Sequence, residues 1–184
     1  MKKTLLTLLI PLTLSCAKIE PAIKIETNAL QTGSQQTYDE SRKDVLFAMS
    51  VASNTRYEGE KRNEDYWKTP YETLKEGTGD CDDKAILFHE ILGLRGIESR
   101  IVYGKIKKED EMHHLWCEYT TNRETRIADP TLKIIKQRQD LPSEQYIESE
   151  NELYPIIQSY SYFQRFEKDF SKFVEEIDKI TQHF

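Results

Sequence analysis

Residues 79–96 read GDCDDKAILFHEILGLRG, and this stretch decides the fold. Asp80 is a favoured N-cap residue, Cys81 then falls at the first helical position, and Gly96 is a natural end for the helix. Apolar residues from Ala85 onward cover most of the helix circumference, which predicts a helix buried at the centre of the domain. A cysteine in the first turn of such a helix is also a candidate nucleophile.

The segments after this helix have the apolar period of two that is typical of strands. Strands are predicted over 99–106, 113–119 and 124–128, with residues 120–123 as a hairpin turn. Residues 131–160 are mixed, and we expect a covering loop with one further strand there. The predicted fold class is therefore α+β, with a central helix packed on an antiparallel sheet.

Helices are also predicted on both sides of this core. An amphipathic pattern runs from Asp39 to Asn54, and residues 69–72 form a capping box ahead of a short helix that ends at Gly77. A stripe of apolar residues at alternating spacings of three and four follows at the C-terminus: Phe163, Phe166, Phe170, Phe173, Ile177, Ile180 and Phe184. We expect this stripe to pack on the domain's own core; a partner helix or a membrane surface is the alternative.

The composition excludes several classes of protein. The 184 residues carry a formal net charge of −6, which speaks against a nucleic-acid partner because binding phosphates requires clustered Lys and Arg. With 38% hydrophobic residues, 7 Gly and 6 Pro, the chain is neither collagen-like nor low in complexity. Its three Cys form no Cys-x-x-Cys pair, so neither a disulfide framework nor a cysteine-based zinc site is expected.

The N-terminal residues have the pattern of an export signal. Two lysines precede an apolar run over residues 5–14, which is too short to span a bilayer. The run ends at Thr13-Leu14-Ser15-Cys16, which resembles the bacterial lipobox, where the Cys is lipidated and becomes the mature N-terminus. We therefore expect a signal peptide over 1–15, a lipidated polar tether over 16–36 and one folded domain over 37–184.

Lipidation of Cys16 determines the expected location. Ala17 follows it, in place of the Asp that commonly marks retention in the inner membrane. We expect the protein in the bacterial cell envelope, at the outer membrane and facing the periplasm, with the membrane as a partner through the lipid. Ordinary secretion with a free Cys16 is the alternative.

Cys81 is the strongest candidate for a catalytic residue. A thiolate that attacks a carbonyl needs an imidazole to exchange its proton and a carboxylate to orient that imidazole. His114 and Asp129 lie about equally far from the predicted hairpin turn, so we expect them to be cross-strand neighbours that the helix N-terminus can face. The helix dipole favours a thiolate at Cys81, whereas the flanking Asp residues raise its pKa.

Each candidate also has a simpler interpretation. Cys81 could be a buried structural thiol, and Asp129 could cap the turn that follows it. His113 is the rival of His114, since the two lie on opposite faces of the same strand. Trp67 is predicted either to line the cleft and help stabilise an oxyanion, or to lie in the core.

Four motifs occur in order along the chain: Asp65–Glu72, Gly79–Asp83, His114–Trp116 and Asp129–Thr131. Together they resemble the transglutaminase-like superfamily of papain-type thiol enzymes, and the bacterial transglutaminase-like cysteine proteinases in particular. The resemblance extends over residues 57–131. It implies a papain-like core and a catalytic triad of Cys81, His114 and Asp129.

The expected function follows from the triad and the anchor. We expect a periplasmic thiol acyl-transfer enzyme, a cysteine protease or amidase that acts on envelope or surface proteins. If an amine rather than water receives the acyl group, the enzyme is a cross-linking transglutaminase. A lipoprotein that keeps the fold for non-catalytic binding or exclusion is the alternative from another class.

The resemblance also bears on metals. It extends to proteases that use acidic residues beside the nucleophile, which makes Asp80, Asp82 and Asp83 a candidate calcium site. Helix capping and the helix dipole explain Asp80 and Asp83 without a metal. No other metal or cofactor is expected.

Overall fold

The fold is that of a computed structural model, which describes residues 33–59, 66–107, 109–110, 113–149 and 160–184. The predicted signal peptide, Cys16 and the predicted tether up to residue 32 lie outside the described residues. Among the helices within these ranges, none is both long and apolar enough to cross a membrane.

The described residues form four α-helices and seven strands. In chain order they are α1 (Gly33–Asn54), β1 (Arg56–Tyr57), α2 (Pro70–Glu76), β2 (Thr78–Gly79), α3 (Cys81–Leu94), β3 (Ser99–Lys107), β4 (His114–Thr121), β5 (Glu124–Asp129), β6 (Ile134–Gln137), β7 (Gln145–Glu148) and α4 (Tyr160–Thr181). This mixture confirms the predicted α+β class. The first helix begins at Gly33, six residues before its predicted start at Asp39, so the last residues of the predicted tether are helical.

Helices α2 and α3 begin at caps that the sequence encodes. Thr69 Oγ1 accepts the backbone N–H of Glu72 at 3.2 Å, and Glu72 Oε2 accepts the N–H of Thr69 at 2.7 Å. Asp80 caps α3 by accepting the N–H of Asp83 at 3.4 Å. The chain leaves α2 at Gly77, whose φ of 66° suits glycine. The capping box and the N-cap of α3 are therefore confirmed.

A five-stranded antiparallel sheet follows α3, in the strand order β6-β5-β4-β3-β7. At the hairpin between β4 and β5, Thr121 pairs with Glu124. The two residues between them, Asn122 and Arg123, have φ of 52° and 65°, as a type I′ turn requires. The predicted hairpin is confirmed, with a tighter turn than expected. The short strands β1 and β2 pair in parallel as a separate sheet.

The core lies between α3 and the sheet. Ala85, Leu87 and Phe88 of α3 are fully buried, which confirms the predicted central helix. Leu115, Cys117 and Tyr119 of β4 pack in this core, and Trp116 between them belongs to a smaller cluster on the opposite face of the sheet. The members of that smaller cluster are Val102, Trp116, Ile127 and Tyr146.

The described part of the segment after β5, up to residue 149, contains two strands instead of the single one predicted. Strand β6 pairs with β5 at one edge of the sheet, and β7 pairs with β3 at the other. Each has only four residues, and the burial of neither alternates cleanly between buried and exposed positions. These two strands therefore lack the apolar alternation from which strands are predicted.

The C-terminal helix α4 packs one side on the core. Phe173 and Ile177 are 0% and 2% exposed, in agreement with the expected packing of the apolar stripe. Other members of the same stripe remain exposed: Phe163, Phe170 and Phe184. The core therefore covers only part of the apolar stripe.

Gly104→Ala is expected to destabilise the domain by about 1–3 kcal/mol, as overpacking typically does. A Cβ at this position would overlap the carbonyl oxygen of Ile147 in β7 and lie 2.7 Å from the ring of Trp116. Gly93→Ala is the control, because nothing lies within 4 Å of its Cβ position in α3. Urea unfolding measures both variants, and an unchanged midpoint for Gly104→Ala would contradict the close approach of β7 to β3.

Candidate active site

Cys81 begins α3 and lies beside the start of β4. The backbone N–H of Leu115, the residue that follows His114, faces the Cys81 sulfur closely enough to lower the pKa of its thiol. The side chain is partly exposed, whereas Cys117 is fully buried and its thiol lies 3.1 Å from the carbonyl oxygen of Ala85. The structure thus brings the candidate nucleophile to the strand that carries the candidate base.

Burial dominates the electrostatics of the Cys81 thiol and raises its pKa to about 12. The N–H groups of Leu115 and of Cys81 itself lower the pKa, while the charges of Asp82 and Asp80 raise it. A raised pKa keeps the thiol protonated through neutral pH. Burial and the acidic neighbours therefore outweigh these two N–H groups, and a Cys81 thiol that attacks a carbonyl would have to give up its proton during the attack.

His114 and Asp129 form a buried hydrogen-bonded pair. Nε2 of His114 lies 2.8 Å from Oδ2 of Asp129, and Asp129 is fully buried. Cys117 of β4 and Ala128 of β5 are paired directly across the ladder. His114 lies three residues before Cys117, whereas Asp129 lies one residue after Ala128. The expected contact is present, but the two side chains meet diagonally and not directly across the ladder.

The carboxylate of Asp129 accepts further hydrogen bonds. Its Oδ1 accepts the backbone N–H groups of Thr131 and Leu132, both at 3.0 Å. Its Oδ2 also accepts the hydroxyl of Tyr146 at 3.1 Å. Asp129 therefore caps the turn and contacts His114 at once, so its two proposed interpretations are compatible.

Tyr146 is a site residue that the sequence analysis missed. It lies in β7, 17 residues beyond Asp129, within the mixed segment where no alternating pattern was found. Its side chain is 2% exposed. Its contact with Asp129 depends on the pairing of β7 with β3, which no local signal predicts.

The other sequence candidates lie around this pair. His113 is exposed and stacks on the ring of Tyr103 at a centroid distance of 4.6 Å, so of the two histidines only His114 contacts Asp129. Trp67 is 5% exposed and packs in the main core. Its suggested help to an oxyanion stays a prediction.

The segment around Trp67 is attached to two helices. Arg165 of α4 donates to the carbonyl oxygen of Trp67 at 2.8 Å and to Glu72 Oε2 at 2.6 Å. The N–H of Lys68 donates to Asp83 Oδ1 at 2.8 Å, which joins the segment to the first turn of α3. The C-terminal helix thereby helps hold the chain that precedes Cys81, the candidate nucleophile.

Three carboxylates surround the first turn of α3. Oxygens of Asp80, Asp82 and Asp83 lie within 4.8 Å of one another. Burial, followed by the hydrogen bond with Asp80, raises the pKa of Asp82 to about 9; burial raises the pKa of Asp83 to about 7. Carboxylate oxygens are the ligands that Ca²⁺ prefers, so these residues could hold the calcium ion that the sequence left as a possibility.

The arrangement contains the groups that acyl transfer requires. Because Asp129 accepts the Nε2 proton of His114, Nδ1 is the ring nitrogen left to exchange a proton. The N-terminus of α3 presents backbone N–H groups and the positive end of the helix dipole beside Cys81. A thiol, an oriented imidazole and donors for an oxyanion are thus close together.

The family model of the transglutaminase-like superfamily matches residues 28–130, more than half of the chain. The chain therefore belongs to the transglutaminase-like superfamily, as its motifs predicted. In a comparison with curated protein sequences, none matches this chain.

Similar solved structures include proteins of two bacteria. Calcium-bound LapG of Legionella pneumophila is 24% identical with a TM-score of 0.48, over 58% of this chain and 66% of LapG. The EGTA-treated form of LapG is 25% identical with a TM-score of 0.49, over 57% of this chain and 60% of LapG. A candidate cysteine protease from Cytophaga hutchinsonii is 19% identical with a TM-score of 0.40, over 56% of this chain and 40% of that protein. The matched regions thus cover less than two thirds of either LapG structure.

Proposed function

We propose that the chain is a thiol acyl-transfer enzyme, a cysteine peptidase or amidase that acts on proteins of the bacterial envelope. The observation that carries this proposal is the buried His114–Asp129 pair, next to which the backbone N–H of Leu115 faces the Cys81 sulfur and lowers the pKa of its thiol. Membership of the transglutaminase-like superfamily supports the same chemistry.

The first half of the reaction forms a thioester. His114 Nδ1 takes the proton from Cys81 as the sulfur attacks the carbonyl carbon of an amide. Backbone N–H groups at the start of α3 receive the resulting oxyanion. The carbon–nitrogen bond then breaks, and the leaving amine takes the proton from the His114 imidazolium.

The second half releases the acyl group. Water gives a proton to His114 as its oxygen attacks the thioester carbon, and the sulfur leaves and recovers that proton. The products are a carboxylic acid and the free Cys81 thiol. An amine in place of water would give a new amide, which is the cross-linking outcome.

The test uses 4-nitrophenyl acetate as the acyl donor for the full chain. The proposal expects a burst of nitrophenolate from the wild type and none from Cys81→Ala when both also carry Cys16→Ser, because the remaining thiol, Cys117, is fully buried. Adding glycine methyl ester then separates hydrolysis from transfer to an amine, since only transfer yields an acetylated amine. A chain that is not acylated at Cys81 would favour the non-catalytic binding or exclusion lipoprotein.

We further propose that Asp80, Asp82 and Asp83 hold Ca²⁺. A cation there would neutralise the carboxylates beside Cys81 and so favour its thiolate. At a hundredfold excess over its Kd, Ca²⁺ is expected to raise the melting temperature by about 5–10 °C, and EGTA should reverse the rise. Asp82→Asn should reduce this response, while Asp110→Asn, on an exposed turn, should keep it. If Ca²⁺ does not change the melting temperature, the role of Asp80 is to cap α3.

Attachment to the outer membrane through a lipidated Cys16 is part of the proposal. Cys16→Ser is expected to move the protein from the detergent phase to the aqueous phase and to abolish labelling by a fatty acid, because the thiol is the acceptor of the lipid. Phase separation and metabolic labelling of cells measure this, with Cys117→Ser as the control. Labelling that persists in Cys16→Ser would contradict the anchor.

A further inference from the structure

Tyr146 is placed where its hydroxyl serves the candidate site. The hydroxyl donates to Asp129 Oδ2 at 3.1 Å, and this is the oxygen that also accepts His114 Nε2 at 2.8 Å. Burial and the Asp129 charge raise the pKa of Tyr146, so the hydroxyl remains a donor at neutral pH. With the two N–H groups on Oδ1, the buried carboxylate then has a donor for each of its four lone-pair positions.

Packing alone does not require a tyrosine at this position. The Tyr146 ring meets the ring of Trp116 edge to face at 5.2 Å, a contact that phenylalanine makes equally well. The hydroxyl is the one part of the side chain that packing does not explain. A buried hydroxyl needs a hydrogen-bond partner, and here that partner is the carboxylate that orients His114.

The backbone at Tyr146 is also unusual. Its φ is 53°, in the left-handed region that bulky L-residues rarely adopt. Such a conformation persists only where surrounding contacts hold it, and it is commonest at functional sites. Here the strained residue is the one that reaches Asp129.

Two features hold β7 in place around Tyr146. The Arg100 guanidinium donates to both oxygens of Glu148 at 2.7 and 2.9 Å. Gly104 of β3 leaves space for the Ile147 carbonyl, where a Cβ would overlap it. Tyr146 is therefore held by both its backbone neighbours and its ring contact.

We propose that Tyr146 is a positioning residue for the triad: its hydroxyl fixes Oδ2 of Asp129 and thereby the direction of the His114 ring. Tyr146 does not touch the reacting atoms and acts through Asp129. The proposal rests on the proposed function for its kinetic consequence, while its structural consequence concerns His114 alone.

The test compares Tyr146→Phe with Tyr119→Phe in the full chain. Tyr119 is a second tyrosine that is almost fully buried in the same sheet, and it packs in the main core. The first measurement is the ¹⁵N-edited NMR signal of the His114 ring Nε2–H, assigned by its loss in His114→Gln. The signal should move downfield in Tyr146→Phe, because Oδ2 then accepts one hydrogen bond in place of two, and stay in place in Tyr119→Phe.

The second measurement is turnover of 4-nitrophenyl acetate. Tyr146→Phe should lower kcat about tenfold with little change in KM, since a less firmly aimed imidazole affects proton transfer and not ester binding. An unchanged His114 signal in Tyr146→Phe, or an equal shift in Tyr119→Phe, would overturn the proposal. If the wild type fails to react with the ester, the proposed enzyme fails, and the His114 signal still decides the role of Tyr146.

Discussion

His114→Ala is expected to slow the acylation of Cys81 by 4-nitrophenyl acetate about 10³-fold, within the range that general bases contribute. The thiol has a pKa raised to about 12, so the thiolate is scarce at neutral pH and the attack requires a base. In the proposed mechanism the base is the His114 imidazole, which is hydrogen-bonded to Asp129. Stopped-flow release of nitrophenolate, corrected for the rate of Cys81→Ala, measures the loss.

His113→Ala is the matched control for this variant. It removes the neighbouring imidazole, which is exposed and stacks on Tyr103 without contacting Asp129. Its acylation rate should stay close to that of the wild type. Equal losses in His113→Ala and His114→Ala would mean that neither histidine acts as the base assigned here.

Asp129→Asn is expected to lower the same rate by up to about 10³-fold, and no more than His114→Ala does, because a triad carboxylate acts through the imidazole that it orients. Asparagine can keep its oxygen on the Thr131 and Leu132 N–H groups, so the turn remains capped. Its amide nitrogen then faces His114 Nε2 and donates to it. The ring proton consequently moves to Nδ1, the nitrogen that has to take the proton of the thiol.

Asp110→Asn provides the comparison, because Asp110 also accepts a backbone N–H, that of Lys107, but on an exposed turn. Thermal unfolding should show both Asn variants folded. A folded Asp129→Asn that is acylated as fast as the wild type would show that the carboxylate is a turn cap and no more.

The sequence predicted those parts of the fold that short segments determine. Thr69 and Glu72 are three residues apart, and Asp80 directly precedes the helix it caps, so both caps could be read without knowledge of the sheet. The hairpin between β4 and β5 is equally local. These features brought Cys81 to a helix N-terminus and placed His114 and Asp129 on adjacent strands.

Features that depend on distant contacts could not be predicted in the same way. The diagonal meeting of His114 and Asp129 depends on the register that the two-residue turn imposes. The contact of Tyr146 with Asp129 needs β7 to cross to the far edge of the sheet. The raised pKa of Cys81 comes chiefly from its burial. This burial depends on how α3 packs on β4, whereas the position of Cys81 at a helix N-terminus would by itself lower the pKa.

The proposed function requires His114 to activate Cys81 so that the sulfur accepts an acyl group. The most direct measurement is peptide mapping by mass spectrometry of the full chain after brief exposure to 4-nitrophenyl acetate and an acid quench. We expect an acetyl group on the peptide that contains Cys81 in the wild type, and almost none on this peptide in His114→Ala. A wild type without acetyl on Cys81, or a His114→Ala variant acetylated there to the same extent, would contradict the proposed function.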